Sequence, residues 1–132
     1  MLDPIKEDIQ ENLRLMGLNN EFFFQMESDS GREVFQFGWI NEKGFKVNFD
    51  TLNNAHRSIL LVSILTAIVE KANPKLKVLA IDDVEHIIDE LFEEFIKGLN
   101  AIAHKWDNIL LAVANSSLEV DGFKVWNLSK AV

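Results

Sequence analysis

At 132 residues, 48% of them hydrophobic and including three Trp and ten Phe, the chain has the composition of one globular domain with a real core, far from that of a disordered segment. It contains no cysteine, which excludes a disulfide framework, a thiolate zinc site and a thiol nucleophile. A net charge of −8 argues against a duplex-binding surface, which needs a basic stripe; the acids gather in Asp82–Glu94, a run without Lys or Arg that suits a cation or a basic partner.

In chain order, Asp3–Met16 reads as a polar helix with a thin apolar stripe (Ile5, Ile9, Leu13, Met16), Asp3 as its cap, Pro4 in its first turn and Gly17 at its exit. Residues 1–18 are then either a helix packed by one narrow face or the remnant of a coiled segment. Met1–Gly17 is charged and lacks the apolar stretch of a secretory signal. Three strand-like pieces follow within residues 19–50. Glu21–Glu27 carries Phe22, Phe23, Phe24 and Met26, and Val34–Ile40 comes after the turn Ser28-Asp29-Ser30-Gly31. Phe45–Phe49 alternates apolar and polar residues after the turn Asn41-Glu42-Lys43-Gly44. Connections this short predict an antiparallel meander with one face buried.

After Asp50 the period changes. Asn53 or Asn54 can cap a helix whose body, Ile59–Val69, is apolar nearly all round, which predicts burial on most sides. That stretch is about half of what a membrane span needs and is interrupted by Ser63 and Thr66, so no membrane association is expected and a soluble cytoplasmic protein is. Pro74 ends the helix. Lys77–Ile81 is a short continuous apolar run of the kind buried on both faces of a parallel sheet, and Asp82-Asp83 stands at its carboxyl end. A second helix has the stripe Ile87, Ile88, Leu91, Phe92, Phe95, Ile96, Leu99, Ile102. It leads to another buried-type strand, Ile109–Ala114, and then to an alternating one, Phe123–Leu128. Residues 51–132 therefore predict an α/β unit in which the two buried-type strands are parallel and joined by the striped helix through a right-handed crossover. Ligands in such sheets bind beyond the carboxyl ends of the strands, which groups Asp82, Asp83 and Asn115 on one edge.

Four apolar residues followed by two acids, Val78-Leu79-Ala80-Ile81-Asp82-Asp83, has the form of a Walker B element. With its flanks it resembles, over residues 20 to 128, the C-terminal lobe of the ATPase head of SMC-like and DNA-repair ABC proteins. In that family a β-meander leads to a signature loop of the type Leu-Ser-Gly-Gly-Glu, then a buried helix, the Walker B strand, a D-loop, a crossover helix and a strand ending at a switch histidine. Leu52-Asn53-Asn54-Ala55-His56 falls at the signature loop, Ile88-Asp89 at the D-loop and Leu110–Ser116 at the switch strand, with Asn115 in place of the histidine.

The resemblance implies that Asp82 holds a Mg²⁺ ion, that Asp83 orients the attacking water, and that Asn115 addresses the γ-phosphate. It implies nucleotide contacts from Leu52, Asn53, Asn54, Ala55, His56 and Asp89. It also implies a role in DNA repair, maintenance or defence, with DNA reached only indirectly.

The departures have consequences. Asn53, Asn54 and Ala55 replace the signature Ser and both glycines, and His56 replaces the Glu. Asp83 is one methylene shorter than the usual Glu, and Asn115 carries no charge. No Gly-x-x-x-x-Gly-Lys-Ser/Thr occurs, so the chain alone lacks the cradle for a β/γ-phosphate. ATP and Mg²⁺ are therefore expected only in complex with a Walker A-bearing N-terminal lobe or a second ABC head, and none for the isolated chain, which is not expected to be an active ATPase.

Two forms of this reading stay open: one piece of a split or truncated head, or a degenerate non-hydrolysing lobe kept for its interactions, with a homodimer possible. Two other classes stand beside it. Asp82, Asp83, Glu85, His86 and Asp89 could serve a metal-dependent hydrolase or nuclease. The acidic run could instead make the chain an interaction module, an inhibitor or a DNA mimic. His104 reads as a partner for the end of the second long helix, and Phe22–Phe24, Trp39 and Trp126 as core aromatics, since no Lys or Arg interleaves them.

Overall fold

The computed structural model describes residues 3–27, 31, 33–82, 89–112 and 122–124. The elements run α1 (Asp3–Leu15), β1 (Glu21–Glu27), β2 (Glu33–Ile40), β3 (Lys46–Asn48), a 3-10 turn (Phe49–Thr51), α2 (Asn54–Ala72), β4 (Val78–Ile81), α3 (Asp89–Ile102), a second 3-10 turn (Ala103–Lys105) and β5 (Asn108–Leu111). The class is α/β: β1-β2-β3 form an antiparallel sheet, and β4 and β5 pair in parallel. The expected meander and the expected parallel pair are both present.

α1 ends because Gly17 takes a left-handed φ of 95°, which lets Leu18 N–H reach back to Leu13 O (2.9 Å) and Gly17 N–H to Arg14 O (3.0 Å). Its stripe is buried as the spacing predicts, with Ile9, Leu13 and Met16 all 4% exposed or less. Asn12, a polar residue beside that stripe, is fully buried as well. The turn between β2 and β3 is organised by Asn41, whose Oδ1 accepts from Lys43 N–H and Phe45 N–H, each at 3.0 Å. The third strand is shorter than the alternation suggests. Phe45 stands out in solvent, and Phe49 enters the 3-10 turn, where its ring stacks on Phe37 at 5.0 Å. The turn at Ser28–Ser30 and the strand body beyond Lys124 lie outside the described residues.

One core joins both halves. Phe22 and Trp39 from the meander, Leu13 from α1, Ile59 and Leu60 from α2, Leu79 from β4, and Phe95, Leu99 and Ile102 from α3 belong to a single buried cluster. The α3 stripe is confirmed where it is described, since Phe95, Ile96, Leu99 and Ile102 are all buried. At about 25 cal/mol per Å² of apolar surface, burying each large aliphatic or aromatic side chain contributes roughly 1.5–3 kcal/mol before entropy is counted.

Two burial expectations are corrected. α2 is apolar nearly all round, yet Leu61, Leu65 and Ile68 are 42%, 43% and 45% exposed, so one face of it has no cover. The β4–β5 pair is covered on one side only. Leu79 is buried, and Ile81, Ile109 and Leu111 pack against the core, while Val78, Ala80, Asn108 and Leu110 face outward. The physical reason is layer count: α2 and α3 supply core on one side of the pair, and none of the described elements supplies it on the other.

Candidate functional site

The Leu52–His56 stretch splits into an inward and an outward set. Leu52 (7% exposed) and Ala55 (2%) are core residues, while Asn53 and Asn54 are exposed and His56 is half-buried. Leu52 N–H closes the 3-10 turn onto Phe49 O at 3.1 Å, which brings the chain to Asn53 in extended conformation (ψ 167°). Asn53 is the N-cap of α2. Its Oδ1 accepts from His56 N–H at 2.8 Å, and its Nδ2 lies 3.3 Å from His56 Nδ1. Asn54, the first helical residue, accepts from Ser58 Oγ through its carbonyl (2.9 Å).

His56 meets Trp39 of β2 edge to face at 5.1 Å, and burial against it pushes the imidazole below the ordinary histidine range, with Glu94 of α3 opposing the shift. α2 packs against α3, the helix that follows β4 in the chain. Arg57, the next residue, gives Nη2–H to Asp50 O and lies 5.8 Å from the Phe49 ring centroid. Its Nε is buried and has no hydrogen-bond partner among the described residues.

Asp82 follows β4 at its carboxyl end and is exposed, and the ladder runs one step past the strands through Ala112 N–H to Ile81 O (2.9 Å). Asp89 is the first residue of α3, and its side chain lies outside what is described. Asp83 and Asn115, together with Glu85 and His86 of the alternative metal site, also lie outside the described residues. Among the described residues no group of three His, Cys, Asp or Glu is placed to hold a metal, and no helix is long and apolar enough to cross a membrane.

A polar network between α1, the later turns of α2 and the approach to β5, away from the Asn53 cap and from Asp82, went unread in the sequence. Asn12 Nδ2 donates to Ser63 O (3.1 Å), and Asn12 Oδ1 accepts from Lys105 Nζ at 2.7 Å. Lys105 Nζ also lies 3.0 Å from Glu70 Oε1. Trp106 Nε1 donates to Thr66 Oγ1 (3.0 Å), whose own hydroxyl donates to Val62 O. Ser63 and Thr66, which break the apolar run of α2, are thus the points where that helix is pinned to its neighbours. The available signal was polar residues recurring three apart on an otherwise apolar face. Trp39, Arg57 and Glu94 were likewise passed over as parts of the His56 surroundings.

A scan of protein-family models finds no match to this chain, and a search of curated proteins finds none either.

Proposed function

We propose that the chain is the C-terminal lobe of an SMC-like ABC ATPase head that works by association with a lobe carrying a phosphate-binding loop. One observation carries the reading: β4 ends at Asp82 and pairs in parallel with β5 through α3, and α2, capped by Asn53, precedes it. That is the order in which a signature segment, a Walker B strand, a crossover helix and a switch strand follow one another. The Asn53 cap suits the comparison, because a serine at this position would cap the helix in the same way.

In this reading Asp82 holds Mg²⁺ at the strand end, Asp83 and Asn115 face the γ-phosphate, and the exposed Asn53 and Asn54 meet a nucleotide bound elsewhere. Leu52 and Ala55 serve the core and position those two. A side chain at residue 55 that turns into the core contributes to the nucleotide only through its backbone, so the loss of the signature glycines changes the shape of the clamp more than its chemistry. Without a phosphate loop, the chain alone turns over no ATP.

Recovery of the chain from its native source tests this directly. The expected result is a co-purifying polypeptide bearing Gly-x-x-x-x-Gly-Lys-Ser/Thr, and a reconstituted pair that binds Mg²⁺–ATP and loses it on Asp82→Ala. A pair whose nucleotide binding is indifferent to Asp82, or rapid hydrolysis by the pure chain alone, refutes the reading.

A further inference from the structure

The cap of α2 and the ring of His56 share one side chain. Asn53 Oδ1 accepts from His56 N–H at 2.8 Å, and that contact fixes which way the amide lies, because only its oxygen can accept. Its NH2 group is thereby turned to His56 Nδ1, 3.3 Å away. An amide NH2 only donates. Nδ1 is therefore the accepting nitrogen, and the proton of the neutral ring belongs on Nε2. Around this pair, Trp39 of β2 lies edge to face with the ring at 5.1 Å and carries no charge. Glu94 of α3 is, among the described residues, the group whose charge favours protonation of His56. Arg57, next on α2, gives its guanidinium to Asp50 O and to the face of Phe49.

A proton taken from solvent at Nδ1 turns that nitrogen into a donor. Left as it lies, the Asn53 amide then sets its NH2 against Nδ1–H. Turned over, it gives its oxygen to Nδ1–H and sets its NH2 against the His56 N–H, which uncaps the helix. A cation in the first turn also meets the positive end of the α2 dipole, which favours moving the ring away. We propose that Asn53 and His56 form an acid-sensitive latch on the first turn of α2, closed while the neutral ring carries its proton on Nε2 and opened, with loss of the cap, when Nδ1 is protonated. The turn it holds is the one that carries Asn53 and Asn54, the exposed pair at this end of the helix. This inference goes beyond the nucleotide reading and does not depend on it.

NMR spectroscopy of the nitrogen-15-labelled full chain, titrated from about pH 8 to about pH 5, is the test. Long-range nitrogen–proton spectra read each ring nitrogen separately. At the alkaline end His56 Nδ1 should be bare and Nε2 protonated. As the ring titrates, exchange of the His56 N–H with solvent, corrected for its intrinsic pH dependence, should speed up at least about threefold in the same step. Asn53→Asp keeps a good cap and puts a carboxylate oxygen where the NH2 stood. It should shift the neutral ring's proton to Nδ1, raise the titration midpoint above about 6.5, and leave the His56 N–H protected as the ring charges. His56→Gln should abolish the acid-linked step in exchange at residue 56. Far-ultraviolet circular dichroism verifies that each variant is folded. A neutral wild-type ring protonated at Nδ1 overturns the proposal. So does exchange of the His56 N–H that ignores the ring's titration, or an Asn53→Asp midpoint no higher than that of the wild type.

Discussion

Lys105→Met isolates the polar network that ties α1, α2 and the β5 approach together. Lys105 Nζ donates to Asn12 Oδ1 at 2.7 Å and to Glu70 Oε1 at 3.0 Å, and Asn12 has no exposed surface. Methionine keeps the aliphatic stem and its packing, so the change is confined to the head group. The Glu70 half is minor, because that side chain is 37% exposed and a screened pair is worth under about 1 kcal/mol. The Asn12 half dominates: a buried acceptor stripped of its donor costs about 1–3 kcal/mol. Together the loss is about 1.5–3 kcal/mol, which at about 3–5 °C per kcal/mol for a chain of this length lowers Tm by about 5–15 °C. Urea titration followed by tryptophan fluorescence measures it, since Trp106 adjoins the site. The network claim also predicts coupling. Lys105→Met in an Asn12→Leu background should cost at least about 1 kcal/mol less than in the wild type, because the stranded acceptor is gone. A single-mutant cost below about 0.5 kcal/mol, or strict additivity in the cycle, would show that the Asn12–Lys105 bond does not hold in solution.

Three further outcomes follow from the structure. Asn53→Ala removes the cap on His56 N–H and should cost about 0.5–2 kcal/mol in the same denaturation assay, while Asn53→Ser should recover most of it. Gly38→Ala would drive a Cβ into the Val47 carbonyl oxygen, with Val47 C at 2.9 Å and Asn48 Cα at 3.2 Å. The β2–β3 pairing must open, so a loss above about 3 kcal/mol or failure to fold is expected, and near-wild-type stability refutes the register. His56 is held below the ordinary histidine range chiefly by burial, so the folded state resists its protonation. Stability should therefore fall as pH drops below about 6.5 towards the depressed folded value. In an NMR titration Glu94→Gln should lower the His56 pKa further, and a value above 6.5 would reverse the sign of the argument.

The order of elements was legible because each carried its own local signal. β4 is an apolar run bounded by Pro74 on one side and Asp82 on the other, and α3 keeps its stripe through Phe95, Leu99 and Ile102. The cap at Asn53 was legible for the same reason, since a polar residue before an apolar periodic run has one obvious use. The burial of α2 and β4 was not. Hydrophobicity records what a side chain favours, not whether the chain provides a neighbour to meet it. Leu65 and Val78 read the same in sequence as Leu60 and Leu79 but differ fully in cover. The Asn12–Lys105 contact was beyond reach for a different reason: the partners are 93 residues apart and lie on separate elements, so no periodicity links them.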